Sequence, residues 1–324
     1  MNKKSPALEV KNFTKKYKGA KKPAVADVNF NVYPGEFHGF IGANGAGKTT
    51  TIKSLIGAYA KFEGEINIFG LEHLTEEAKS KVGYIPETAK FPKGYSTYKY
   101  IVYMSYLSGL SMKEAKAFAD NVLKEIGLEK LKNRNPNTFS SGQKKKVLLA
   151  QALVHNPEII IMDEPAANLD PKARIDFFET LKKLQEKGVA ILISSHILTE
   201  LDKYIDAVTI IDGGKVVFTG KIEDAIGDSD LEYSIQASDE EALINFLKRH
   251  KYKHTKLSDG CMVKFKDKKE AKKLMNLLST SKLEINTFKN NQNSLEEVYR
   301  KYVFLGSVDD GAVPDEPSKG GKDA

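Results

Sequence analysis

The chain has no tryptophan and a single cysteine among its 324 residues. One thiol, Cys261, cannot close an internal disulfide, which excludes a disulfide-stapled scaffold and fits a reducing cytosol. No apolar run approaches the ~18 to 20 residues needed to span a bilayer, so no transmembrane helix is expected. The opening Met1-Asn-Lys-Lys-Ser-Pro has charge but no apolar h-region, so no signal peptide is expected either. Also lacking is a basic stretch interleaved with aromatics, the pattern suited to single-stranded nucleic acid. The net charge of +7 comes from dispersed lysines. It permits contact with an anionic surface and demands none. What remains is an ordinary soluble composition, 41% hydrophobic and 29% charged, long enough for two domains.

The most informative stretch is Gly42-Ala-Asn-Gly-Ala-Gly-Lys48-Thr49. The apolar run Glu36 to Ile41 before it reads as a buried strand. Ile52, Leu55 and Ile56 after it have helical spacing. Strand, glycine-rich loop and helix are the setting that a phosphate-binding loop requires. Gly42, Gly45 and Gly47 let the backbone curl, so that N–H groups from Asn44 through Ala46 to Thr50 point at phosphate oxygens. The helix N-terminus adds its positive dipole end. Lys48 is placed to reach the β- and γ-phosphates, and Thr49 to offer its hydroxyl to Mg²⁺. A nucleoside triphosphate site is predicted.

Upstream, Ala7 to Phe13 and Val25 to Val32 alternate as half-exposed strands, with Tyr17 in the loop between them. Gly64 to Gly70 is a further short strand. Lys81 to Glu87 reads as a buried strand with Glu87 at its lip, where a carboxylate can face the nucleotide metal. Phe91 to Met112 is rich in tyrosine, and Tyr100, Tyr103 and Leu107 share a helical face. That face reads either as core packing or as a docking surface, since tyrosine is favoured at interfaces. Lys113 to Ile126 is a second amphipathic helix. Asn137 to Gln143 precedes a helix expected over Lys144 to His155, with Ser140 as a cap.

Glu158-Ile-Ile-Ile-Met-Asp163-Glu164 is apolar on both faces, as a central parallel strand is, and it ends in two acids. Ligands bind at that end of open α/β sheets. Asp163 is assigned to Mg²⁺ through water and Glu164 to polarising the attacking water. Asn168-Leu-Asp170-Pro171 starts a helix with Asp170 as cap. Gly188 to His196 is another buried strand, and His196 at its end reads as a γ-phosphate contact.

With these pieces in order, Ala7 to Ile226 resembles the ATP-binding subunit of an ABC transporter. Gly42 to Thr49 resembles its Walker A motif, and Ile159 to Glu164 its Walker B motif with the catalytic glutamate. Phe139-Ser-Ser-Gly-Gln143 resembles the signature, usually Leu-Ser-Gly-Gly-Gln. Ala167 to Asp170 resembles the D-loop, His196 the switch histidine, and Tyr17 the aromatic that stacks on adenine. Glu87 falls where the Q-loop more commonly has glutamine. Ser141 replaces a signature glycine, and Ala166 stands where Thr or Ser commonly follows the proline.

The resemblance implies a P-loop ATPase of α/β class, with a mixed and largely parallel sheet core, an antiparallel β layer and a helical subdomain over about 88–155. It also implies ATP and Mg²⁺ as ligands and a head-to-tail dimer, either a homodimer or a pair with a second ATPase subunit. Walker A of one protomer and Ser140, Ser141, Gly142 and Gln143 of the other would enclose each nucleotide. The partner implied is an integral membrane permease at the cytoplasmic face of the membrane, docked on the tyrosine-rich segment. Nucleic acid is not expected. The alternative is a soluble ABC-type ATPase acting on ribosomes or nucleic acid. Such relatives usually carry two cassettes or a long coiled-coil insertion, and this chain has neither. A non-hydrolysing ATP sensor is disfavoured by Glu164 and His196.

The ATPase domain is expected over 1–226. Across 227–306 the periodicity restarts as β-α-β-β-α-β, a ferredoxin-like plait, followed by a helix over Ser294 to Tyr302. Tails ending in Ser-Leu-Glu-x-Val resemble those of the exporter branch. Ser307 to Ala324, rich in Asp, Gly, Pro and Lys, is expected to be disordered.

Overall fold

The computed structural model describes residues 5–198, 201–222, 224, 231–257, 259–290 and 295–303. The disordered-tail expectation, Ser294 and the boundary at 226/227 lie outside them. Three sheets organise the chain.

The first sheet is the antiparallel layer, ordered β2-β1-β4-β5 from β1 (Leu8–Lys15), β2 (Val25–Val32), β4 (Glu63–Ile68) and β5 (Leu71–Glu72). Alternation dictates it: Val25, Val28, Phe30 and Val32 turn inward, while their neighbours face out. Those inward residues share a core with Phe40 and Ile52 from the next layer.

The second sheet carries β3 (Phe37–Ile41), β6 (Val82–Ile85), β7 (Ile159–Met162), β8 (Ala190–Ser195), β9 (Ala207–Asp212) and β10 (Lys215–Lys221). Its order is β10-β9-β3-β8-β7-β6, parallel from β9 to β6, with β10 antiparallel at the edge. Every residue of β3, β7 and β8 is buried, which is why these strands read as continuous apolar runs. Register aligns their ends: Ile41 sits opposite Ser195, and Met162 opposite Ile193. Whatever follows β3, β7 and β8 therefore meets at one edge.

Helices cover the sheet. α1 (Lys48–Leu55) follows β3, and the short α2 (Glu76–Ser80) precedes β6. α3 (Thr97–Leu107), α4 (Met112–Glu125) and α5 (Ser141–Ala152) lie between β6 and β7. α4 begins in a Ser111/Glu114 capping box, and α6 (Pro171–Glu186) begins at the Asp170 cap, with Pro171 in the first turn. The tyrosines of α3 divide. Tyr100 is buried and donates to Gln151 Oε1, whereas Tyr103 is 47% and Leu107 76% exposed. The shared face expected from spacing ends where its supporting packing ends. Tyr95 meets Tyr103 edge-on with ring centroids 5.4 Å apart, so the exposed aromatics form a small patch.

The third sheet is four-stranded and antiparallel, ordered β12-β13-β11-β14. It comprises β11 (Leu231–Ala237), β12 (His254–Leu257), β13 (Gly260–Phe265) and β14 (Ile285–Asn290), with α7 (Glu240–Arg249) and α8 (Lys268–Ser279) in the connections. That order and alternation match the β-α-β-β-α-β reading. Ile235, Leu243, Leu247, Val263, Phe265 and Leu274 form a core separate from the other two, with Cys261 buried inside it. The final helix, α9 (Leu295–Val303), behaves differently. Its Leu295 and Val298 join the core beneath the second sheet. Among the described residues, no helix is long and apolar enough to cross a membrane.

Candidate functional site

The loop after β3 owes its path to its glycines. A Cβ on Gly42 would stand 2.3 Å from the Ile211 carbonyl oxygen, so only glycine lets the loop leave the strand there. Gly47 caps α1 with φ +109°, and a side chain on it would run into Val25. The loop wraps a cavity of about 220 Å³ lined by Asn44, Gly45, Gly47, Lys48, Thr49, Thr50, Ala24 and Glu164. Ala46 is buried beneath it.

Lys48 is 4% exposed, and its ammonium is shared. It donates to Gly42 O at 2.8 Å and Ala43 O at 3.1 Å, and it pairs with Glu164 Oε1 at 3.2 Å. The other oxygen, Glu164 Oε2, lies 2.7 Å from His196 Nδ1. Because a carboxylate accepts, Nδ1 carries the hydrogen. Glu164 sits at φ +42°, a left-handed conformation that a residue other than glycine adopts only under local constraint. The constraint is a hydrogen bond: its N–H donates to Ser194 Oγ at 2.9 Å.

Ser194 also donates to Asp163 Oδ1 at 2.9 Å, and Thr49 donates to the same oxygen at 3.2 Å. Asp163, 2% exposed, is thus a buried carboxylate aimed at the first turn of α1. A hydroxyl and a carboxylate at this separation are hard oxygen donors of the kind Mg²⁺ accepts. No cluster of three or more His, Cys, Asp or Glu suited to a metal occurs among the described residues.

Ser194 was not singled out by sequence reasoning, although a hydroxyl in an otherwise apolar strand was the available signal. Lys145 was missed as well. It is buried in α5, with Nζ donating to Pro86 O at 2.7 Å and Glu87 O at 2.6 Å. Burial pushes its amine down to about 8, against the pull of Glu87 and Asp163. The same burial, with Asp163 and Glu87 nearby, pushes the Tyr84 hydroxyl up to about 12.

The structure does not bring every predicted residue to this cavity. Glu87 is exposed, and its carboxylate makes no hydrogen bond to Thr49 or Asp163 among the described contacts. Tyr17 reaches the edge: its hydroxyl lies 3.1 Å from Thr50 Oγ1, and its ring meets Tyr59 edge-on. The signature segment is elsewhere. Ser140 caps α5, accepting from Gln143 N at 3.3 Å, while Gln143 Oε1 accepts from Ser140 N at 3.2 Å. The helix therefore starts at Ser141, three residues before the expected Lys144, because the capping box belongs to it. A Cβ on Gly142 would come within 2.7 Å of Ala173 Cβ, so this glycine serves close packing of α5 on α6. Ser140 and Ser141 are exposed, leaving this helix N-terminus open to solvent. Asp170 Oδ1 accepts from Ala173 N at 2.9 Å.

Comparisons with known proteins bear on the family of the chain. A family model described as ABC transporter matches residues 25–167. A Mycoplasma pneumoniae chain named as an ABC transporter ATP-binding protein is 41% identical over 92% of this chain and 93% of its own. The linearmycin resistance ATP-binding protein LnrL of Bacillus subtilis is 32% identical over 73% of this chain and 78% of its own. The bacitracin transport ATP-binding protein BcrA of Bacillus licheniformis is 29% identical over 94% and 99%. Among solved structures, an ATP-binding subunit of an ABC transporter superposes with TM-score 0.61 at 34% identity, covering 68% of this chain and 91% of that one. An ATP-binding cassette solved as a dimer in a post-hydrolysis state with ADP and phosphate gives 0.60 at 28% identity, covering 67% and 99%. On the strength of the loop after β3, the acids after β7 and these relatives, the chain belongs to the family of ABC transporter ATP-binding proteins.

Proposed function

We propose that this chain is the ATP-hydrolysing subunit that energises substrate export by a separate membrane permease. The observation that carries the reading is the joined pair of networks at the carboxyl edge of the second sheet, Lys48–Glu164–His196 and Thr49–Asp163–Ser194. Phosphate oxygens compete for the Lys48 ammonium. Once Lys48 turns to them, Glu164 loses its countercharge and is free to accept a proton from the attacking water. His196 holds the other Glu164 oxygen and faces the γ-phosphate. Thr49 and Asp163 would hold Mg²⁺, which neutralises charge on the β- and γ-phosphates when bound. Tyr17 stacks on adenine.

Ser140, Ser141, Gly142 and Gln143 lie outside this cavity, so we assign them to the site of a second protomer in a head-to-tail dimer. ATP closes that dimer, and loss of the γ-phosphate releases it. The exposed patch of Tyr95, Tyr103 and Tyr106 is assigned to the permease, which places the chain peripherally at the cytoplasmic face. Relatives named for linearmycin resistance, bacitracin transport and Nod factor export support export. They also leave a ribosome- or nucleic-acid-directed ATPase without support. Residues 231–290 are assigned to an accessory unit.

Glu164→Gln tests the chemistry. Turnover is expected to fall by about 10²- to 10⁴-fold while ATP binding is retained and the dimer persists in ATP. Normal turnover would remove Glu164 from the mechanism. The same variant, purified from detergent-solubilised membranes with ATP, is expected to bring down a stoichiometric polytopic membrane protein. Recovery of ribosomal proteins or nucleic acid alone would overturn the transporter assignment.

A further inference from the structure

Strand β6 ends at Ile85, and the next residue, Pro86, has no N–H with which to continue a ladder. Three successive carbonyls at this exit are nonetheless taken. Ile85 O accepts the backbone N–H of Asp163 at 3.0 Å, so the last residue of β6 holds the acid that follows β7. The next two carbonyls share one donor. The Lys145 ammonium donates to Pro86 O at 2.7 Å and to Glu87 O at 2.6 Å. Lys145 is 3% exposed and lies in α5, the helix capped by Ser140.

An ammonium is costly to bury unless its hydrogens find acceptors, and these two carbonyls supply them. Bonds from a charged donor are also the stronger kind, so the exit of β6 is fastened to α5 rather than left to water. The grip passes directly to the site. Ile85 C=O and Pro86 N belong to one planar peptide unit, so turning Pro86 turns the carbonyl that holds Asp163. Asp163 is buried and meets the Thr49 and Ser194 hydroxyls through Oδ1, which leaves its backbone bond to Ile85 as the contact that faces α5.

We propose that Lys145 is a positioning residue of the ATPase: by holding Pro86 and Glu87 it sets how Ile85 presents its carbonyl to Asp163, and so the aim of Asp163 and Glu164. The proposal deepens the ATP-hydrolysis reading above and rests on it. Loss of the grip misaims the acids and leaves the phosphate loop alone, since Lys48 and Thr49 are carried by β3 and α1. Lys145 also fastens the helix that begins at the Ser140 cap to the sheet edge that bears the acids.

The test is Lys145→Met in the full chain, which keeps the apolar stem and removes both hydrogen bonds. Lys145→Gln, which retains an amide donor, is measured beside it. ATP affinity is followed by calorimetry, turnover at saturating ATP by phosphate release, and folding by thermal melting. Turnover of Lys145→Met is expected to fall roughly ten- to hundredfold, the scale of a misplacement of about 1 Å. The dissociation constant for ATP is expected to stay within about twofold, the split that marks a loss of aim rather than of binding. Lys145→Gln is expected to fall between parent and Lys145→Met. If Lys145→Met is unfolded at the assay temperature, Lys145→Gln decides by the same split. Parental turnover in a folded variant, a joint loss of turnover and affinity, or Lys145→Gln as slow as Lys145→Met would each overturn the proposal. A parent chain that does not hydrolyse ATP would sink the ATPase reading and this proposal with it, a failure kept distinct because it is read on the parent.

Discussion

The carboxyl edge of the second sheet and the C-terminal plait are both packings of helix on strand, yet they bury different things. At the sheet edge Lys48, Asp163 and Ser194 are all buried, with Ser194 bonded to Asp163 and Lys48 tied to both through Glu164. In the plait the buried set is aliphatic and aromatic, with Cys261 the one sulfur among them. A buried charge is tolerated only when it is paired and hydrogen-bonded, so the edge must be held to tight geometry. The plait needs only volume and pattern. Chemistry is confined to the first region by that cost.

The widest contrast comes from making one kind of change in both places. Ile161→Ala in β7 and Leu274→Ala in α8 each remove a fully buried side chain, and each is expected to cost about 2–5 kcal/mol in denaturant unfolding. Only Ile161→Ala should also lower ATP turnover sharply, because it loosens the strand that aims Asp163 and Glu164. Equal losses of turnover in the two variants would erase the distinction. A smaller effect is expected at Ser194→Ala, which leaves the Glu164 N–H without its acceptor and Asp163 Oδ1 with Thr49 but without the Ser194 donor. That should cost about 1–3 kcal/mol and slow hydrolysis more than it weakens ATP binding. A variant that binds weakly but hydrolyses at the full rate would show that Ser194 does not orient Glu164. The smallest change belongs to the exposed patch. Tyr103→Ala should alter the stability of the isolated chain by less than about 0.5 kcal/mol. Co-purification with the membrane protein should weaken nonetheless. Unaffected assembly would move the docking surface elsewhere on the helical subdomain.

Much of this was legible because strong local rules coincided. The runs at β3, β7 and β8 announce central parallel strands, since burial on both faces leaves no polar alternation. The capping residues Ser140 and Asp170 were readable from type and position. The start of α5 was misplaced because its glycine and serines look like a turn, whereas the Ser140–Gln143 capping box makes them helical. Glu87 is expected to face the metal from its place after a strand, but only its backbone carbonyl is held, by Lys145, and the residue is exposed. Ser194 and Lys145 carry no local signal strong enough to mark them. Asp163, the partner of Ser194, lies 31 residues away in sequence, and Pro86 and Glu87, the partners of Lys145, lie 59 and 58 away.

By itself the sequence determined the kind of fold, the phosphate loop with its lysine and threonine, and the acids that follow the central strand. These depend on short-range pattern: period, glycine placement and the order of residues within a few positions. Tertiary structure alone decided how Lys48 is shared with Glu164, that Ser194 ties the two acids together, and that α9 joins the core beneath the second sheet. Those outcomes depend on parallel register and on cores that join distant segments. No local pattern encodes them, because each partner's position is set by packing elsewhere in the chain.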